Sequence, residues 1–109
     1  MIFNLIKIIY LVLFLILFSL NINLLKADSK MKMGLDVYNN KAMCGACHTL
    51  SVAGSAGKIG PNLDDIKPKI SQIILAVTNG IGVMPAFEGI LTFEEIEAVA
   101  YFVSTSSNK

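Results

Sequence analysis

Residues 44–48 read Cys-Gly-Ala-Cys-His, and they hold both cysteines and the only histidine of the chain. Two thiols three positions apart, followed at once by an imidazole, form the pattern that attaches a c-type haem. The spacing has a mechanical basis. Two thiols must reach two vinyl groups on one edge of a porphyrin, so the backbone between them turns tightly. The next residue then lies beneath the ring, where an imidazole nitrogen can bind iron. Gly45 and Ala46 keep the turn small. Cys44 and Cys47 are therefore the expected thioether attachment points of one haem c, and His48 is its expected proximal iron ligand. Three other chemistries compete. A thioredoxin-like pair wants a strand-to-helix context in a βαβ pattern, which this sequence lacks. A structural zinc site needs four ligands, and the cluster offers three. A disulfide between Cys44 and Cys47 would close too small a loop to stabilise much.

The far face of the iron needs a ligand or stays open. The candidates are Met31, Met33, Met43 and Met84. Met31 and Met33 precede the motif and Met43 abuts it, so these three belong to the proximal side. Met84 lies 36 positions beyond His48 in a glycine-rich loop, with Pro85 stiffening the backbone beside the sulfur. A loop of that length can cross the ring edge, and a thioether suits low-spin haem and raises its potential. Core filling is the commoner fate of a methionine, but the loop setting argues for Met84 as the distal iron ligand.

Helices must position these groups. Residues 30–43 predict a first helix with Met31, Leu35 and Tyr38 on one face. Residues 44–63 are loop-like. Residues 68–79 place Ile70, Ile73, Ile74 and Val77 at i, i+3, i+4 and i+7, an amphipathic helix with Pro68 near its start and Gly80 past its end. Residues 80–91 are a loop carrying three glycines and a proline. Residues 92–104 predict the clearest helix: Thr92 and Glu95 form a capping box, and Ile96, Val99, Ala100 and Val103 make its apolar stripe. No segment alternates as a strand over six residues, so the expected class is all-α.

The chain of 109 residues is one domain at most. Its apolar content is uneven. Residues 1–27 hold 21 hydrophobic residues and no acid, whereas residues 28–109 hold seven Lys against eight acids, a net charge of −1. The absence of Arg and of any basic run argues against nucleic acid as a partner. Lys7 followed by the apolar run 8–18 reads as a secretory signal, because eleven residues are too few to cross a ~30 Å hydrocarbon core. Ala27 is a plausible residue before cleavage. The expected organisation is a signal peptide over 1–27 and a haem domain over 28–109. The alternative is an uncleaved anchor from Ile8 to Leu25, with Ser19, Asn21 and Asn23 inside it. Either arrangement places residues 28–109 outside the cytoplasm: in the periplasm, or anchored at the outer face of the inner membrane.

From about Met31 to Val103 the chain resembles the small monohaem cytochromes c of class I. The resemblance rests on Gly34-x-x-x-Tyr38, the Cys-x-x-Cys-His motif, Gly60-Pro61-Asn62-Leu63, Val83-Met84-Pro85, and Ala100-Tyr101. It implies three to five helices wrapped around one covalently bound haem. It also implies that the first and last helices cross near Gly34, Tyr38 and Tyr101, and that the Pro61 carbonyl orients His48. The motif's place near the start separates this class from the cytochromes c prime. The chain lacks Arg and Trp, which often bind haem propionates in the family, so Lys58, Asn62, Gln72, Asn79 or backbone amides must substitute. The stretches CGACHTLSVAGSAGKIGPNL and GVMPAFEG also resemble the cytochrome subunit of bacterial sulfite dehydrogenases.

The resemblance implies a periplasmic one-electron carrier, not an enzyme, with redox proteins as donor and acceptor, such as a periplasmic dehydrogenase and a terminal oxidase. Two alternatives stand beside it. One is a dedicated electron-accepting subunit of a dehydrogenase such as sulfite dehydrogenase. The other is a haem peroxidase or gas-binding protein, which wants an open sixth position and a distal acid–base residue; the sole histidine is used proximally. The protein is expected as a monomer or a small heteromeric subunit, touching a membrane only if residues 1–27 are retained. Lys58, Lys67 and Lys69 flank the motif loop and could steer an acidic partner, though solvated loop lysines are commoner. Mass spectrometry of the holoprotein should find an N-terminus close to Asp28. Intact Met1 in a membrane fraction would move the protein to the anchored class without altering its chemistry.

Overall fold

A computed structural model describes all residues 1–109. The first element, α1, runs over Ile2–Asp36 and continues without interruption into a π-helical turn, Val37–Lys41. The sequence predicts a first helix over 30–43, whereas α1 runs unbroken from Ile2 and has no separate start at residue 30. The physical reason is that residues 19–30 contain neither Gly nor Pro. The polar residues that end the apolar run are satisfied inside the helix: Ser19 Oγ donates to the Ile16 carbonyl and Asn21 Nδ2 to the Leu17 carbonyl. Lys32 and Asp28, one turn apart, pair at 3.3 Å. By length and composition the apolar part of α1 could cross a membrane, and none of that part is buried against the rest of the protein.

Beyond residue 30, α1 packs on the last helix, α4, over Phe93–Ser107. The packed face of α1 differs from expectation. Met31 and Tyr38 face the core, but Leu35 is exposed, and Gly34 and Val37 are the buried residues between them. Gly34 sets the crossing. A Cβ there would lie 2.3 Å from the Ala98 carbonyl oxygen and 2.5 Å from Phe102 Cβ, so the two backbones approach as only glycine allows. The aromatic at this crossing is Phe102. Its ring meets that of Tyr38 edge-on at 5.8 Å, a favourable geometry for two aromatic rings. Tyr101, the residue expected there, is half-buried to one side with the Lys30 ammonium 5.7 Å from its ring centre.

The capping box of α4 forms as predicted. The Glu95 N–H donates to Thr92 Oγ1 at 3.2 Å, and the Thr92 N–H donates to Glu95 Oε2 at 2.9 Å. Ile96, Val99, Ala100 and Val103 are all buried. Lys41, on the π turn, pairs with Glu95 and ties the end of α1 to the start of α4. That hydrogen bond from the ammonium holds the Glu95 carboxyl below its ordinary value.

Between α1 and α4 lie shorter elements. A 3₁₀ turn at Cys44–Ala46 leads to a two-residue strand, β1 (Thr49–Leu50). A second 3₁₀ turn, Ser51–Ala53, reverses the chain into β2 (Ser55–Ala56), which pairs antiparallel with β1 as Thr49 with Ala56 and Leu50 with Ser55. The fold is thus mostly helical rather than all-helical; strands of two residues are too short to show alternation in a sequence. One helical turn, α2 (Leu63–Ile66), was not predicted; Asn62 Oδ1 caps it by accepting from the Asp64 N–H. The next helix, α3, spans Ile70–Asn79 and ends at Gly80 as predicted, but begins two residues beyond Pro68. Ile73 and Val77 are buried, Ile74 packs at the edge, and Ile70 is exposed.

Gly34→Ala tests the crossing. In an unconstrained helix this change would stabilise by up to ~1 kcal/mol. Against the Ala98 carbonyl it is expected to destabilise by about 1–3 kcal/mol, as overpacking does, and a denaturant midpoint measurement gives the sign.

Candidate haem-attachment site

The motif sits on a tight turn. The Cys47 N–H and His48 N–H both donate to the Cys44 carbonyl, at 3.1 and 3.0 Å. The turn opens at Met43, a non-glycine residue with φ of 51°, which leaves the Met43 side chain exposed. Cys44 and Cys47 are unpaired thiols, each half-buried. Burial pushes the Cys44 thiol up to about 11. A thioredoxin-type nucleophile has the opposite shift. No group of three or more His, Cys, Asp and Glu side chains converges in a way that could hold a metal ion.

His48 Nδ1 lies 2.7 Å from the Pro61 carbonyl oxygen. A carbonyl only accepts, so Nδ1 carries the proton and the lone pair resides on Nε2. A metal-ligating histidine is usually oriented in this way. Two features hold Pro61 in place: the Gly60 N–H donates to the Cys47 carbonyl at 2.7 Å, and Thr49 Oγ1 donates to the Gly57 carbonyl at 2.9 Å. Gly60 lies flat against the imidazole. A Cβ there would be 2.5 Å from His48 Cε1 and 2.8 Å from Nδ1. Neither Gly60 nor the pairing of β1 with β2 was anticipated as part of the site; the glycine immediately before Pro61 was the available signal.

The structure thus joins Cys44, Cys47, His48 and Pro61 into one cluster. Two cysteine thiols and an imidazole with a free Nε2 are the donor set a covalent haem requires. Met84 stands on a separate loop. It is half-buried against the core, and its turn is closed by reciprocal hydrogen bonds with Ile81 at 3.1 and 2.9 Å. Met31 packs against the core, and Met33 lies half-buried in a groove with Lys30, Glu94 and Glu97 between α1 and α4. A cavity of about 440 Å³ between α3, α4 and the loop joining them contains no residue of the cluster.

Among the groups expected to hold propionates, Asn62 and Gln72 are committed as helix caps: Gln72 Oε1 accepts from the Lys69 N–H at 2.9 Å. Lys58 and Asn79 are exposed and without hydrogen-bond partners. Lys67 donates to the Ser107 carbonyl at 2.9 Å and so caps the end of α4.

The sequence pattern of the family described as cytochrome c oxidase, cbb3-type, subunit III matches residues 29–103, most of the chain. The chain belongs to the c-type cytochromes. Cytochrome c6 of Microcystis aeruginosa is 36% identical over 74 residues, covering 62% of this chain and 89% of the relative. Cytochrome c6 of Leptolyngbya boryana is 35% identical over 80 residues, covering 70% and 92%. The crystal structure of the c-type cytochrome SorU from Sinorhizobium meliloti superposes with a TM-score of 0.72 at 49% identity, covering 75% of this chain and 95% of that one. As a member of the family, the cytochrome carries haem c, and the two cysteines of its attachment motif are Cys44 and Cys47. It is an electron-transfer protein.

Two changes probe the cluster. Cys44→Ala or Cys47→Ala should remove most of the holoprotein formed in a host competent in haem attachment. Gly60→Ala should lower holoprotein yield too, although it removes no bonding group, because its methyl displaces the imidazole. Haem-stain electrophoresis under denaturing conditions reads both, and a normal Gly60→Ala yield would show that the glycine is dispensable.

Proposed function

We propose that this cytochrome is an exported, periplasmic one-electron carrier, with residues 1–27 as its signal segment and 28–109 as its haem domain. The observation that carries this reading is the hydrogen bond from His48 Nδ1–H to the Pro61 carbonyl, which leaves Nε2 free to bind iron. When bound, the haem supplies a reversible Fe(II)/Fe(III) couple. The chain's part is to hold and tune it. Cys44 and Cys47 anchor the porphyrin edge through thioethers. The Pro61 carbonyl keeps the proton on Nδ1 and fixes the ring plane. Gly60 leaves the face of the imidazole uncrowded. Met84 would supply a thioether ligand to the iron, and Pro85 limits the motion of its backbone. The family match begins at residue 29, which supports a leader that ends just before it.

Donor and acceptor are redox proteins. The second reading is a dedicated electron-accepting subunit of a dehydrogenase such as sulfite dehydrogenase. The residues favouring it are the motif loop through Leu63 and the GVMPAFEG stretch, which resemble that kind of subunit. Both readings use the same ligands and differ in how long the partner stays bound.

Carrier and open-site enzyme separate on Met84. With Met84 bound, the oxidised protein should be six-coordinate and low-spin, with the weak far-red band of a methionine–iron bond, and the reduced protein should bind CO poorly. Met84→Ala should abolish the band, lower the potential and admit CO. Met33→Ala and Met43→Ala should leave the spectrum nearly unaltered. Ready CO binding by the wild-type protein at neutral pH, or a band that survives Met84→Ala, overturns the ligand assignment and makes the open-site reading the leading one.

A further inference from the structure

The hydroxyl of Tyr38 has no part in the chemistry described above, and its burial needs an explanation. The side chain is wholly buried, and phenylalanine would fill the same space against Phe102. A hydroxyl taken out of water is unfavourable unless hydrogen bonds offset it. Both of its partners lie on the segment that carries the haem motif onward. Tyr38 Oη is 2.9 Å from Ser55 Oγ and 3.4 Å from the carbonyl oxygen of His48. Ser55 Oγ also accepts from the Leu50 N–H at 3.0 Å, and Leu50 faces Ser55 across the two-stranded ladder. Inside the motif, Gly45 makes room for this pair: a Cβ there would be 2.7 Å from Ser55 Cβ and 3.5 Å from Tyr38 Cε1.

We propose that the Tyr38 hydroxyl and Ser55 act together as a clasp that positions His48. The Pro61 carbonyl holds the imidazole ring at Nδ1. The clasp holds the main chain on which that ring stands, at the His48 carbonyl and at Leu50. Because the Tyr38 ring lies against Phe102, the clasp also fastens the ligand's backbone to the crossing of α1 and α4. Tyr38 and Ser55 are positioning residues; the ligand acts and they fix its orientation, as outer partners of a metal-ligating histidine do.

The inference rests on His48 as an iron ligand, and the test separates the two. The samples are the full holoprotein as wild type, Tyr38→Phe, Ser55→Ala and the double variant, all oxidised. The readouts are the haem-methyl NMR shifts, which follow the orientation of an axial imidazole plane in low-spin haem, and thermal unfolding. Each single change should shift the methyl pattern in the same sense, and the double variant should shift it no further. An unchanged pattern, whatever the melting temperature, would falsify the clasp and leave the hydroxyl a purely structural group. Shifts that add in full overturn it as well, since they mean two independent contacts. If Tyr38→Phe does not fold, Ser55→Ala decides alone, because it opens the clasp from the loop side without touching the helix crossing. A wild-type protein lacking the shifts of an imidazole-ligated haem overturns His48 ligation itself, and the clasp with it.

Discussion

The missing side chain at Gly34 is the constraint from which the rest of the structure follows. With nothing between α1 and the Ala98 carbonyl, the two longest helices cross at backbone contact. That distance brings Tyr38, on the π turn that continues α1, onto Phe102. It also brings the π turn to where Lys41 meets Glu95 at the start of α4. The haem motif begins immediately after this junction. Its placement is therefore set by helix packing as well as by the segment that carries it, which is braced between Cys44 and Pro61 by the β1–β2 pair.

Polar side chains around the motif are spent on fixing that loop. Asn62 caps α2, and Asp64 accepts from the Ser51 N–H at 2.8 Å. Thr49 binds the Gly57 carbonyl, and Lys67 closes the end of α4. Each satisfies a backbone group that would otherwise face water or nothing. The consequence for haem binding is that few side chains near the motif remain free for propionates. Lys58 and Asn79 are the two among the expected candidates that have no other commitment.

What could be read from the sequence was what depends on local spacing. The Cys44–His48 motif, the Thr92–Glu95 capping box, the stripe on α4 and the stop at Gly80 are all patterns of adjacent turns, and all appear where expected. The relation of Pro61 to His48 was available only through resemblance to a family, because it joins residues 13 positions apart across two turns. The misplaced aromatic has a clear cause. Tyr101 and Phe102 are neighbours, and which one faces Gly34 depends on the rotation of α4 about its axis. That rotation is fixed by Ala98, one turn before Phe102 and pressed against Gly34, a pairing that no single-segment pattern reveals. The strands β1 and β2 were invisible because two residues cannot alternate. The separate helix start expected at residue 30 is absent, because residues 19–30 contain no Gly or Pro to interrupt α1.

The continuity of α1 through residues 26–30 would have a further consequence if the chain were severed after Ala27. The amides of residues 29–31 would then lose the carbonyls of 25–27 that they bonded, and Asp28 would carry a free ammonium at a new helix start. The residues found there are Asp28 and Ser29. Both are types whose side-chain oxygen accepts from such amides, and the Asp28 carboxylate also opposes the positive end of the helix macrodipole. The long helix thus contains, at the point where the leader would be removed, the chemistry of a second beginning.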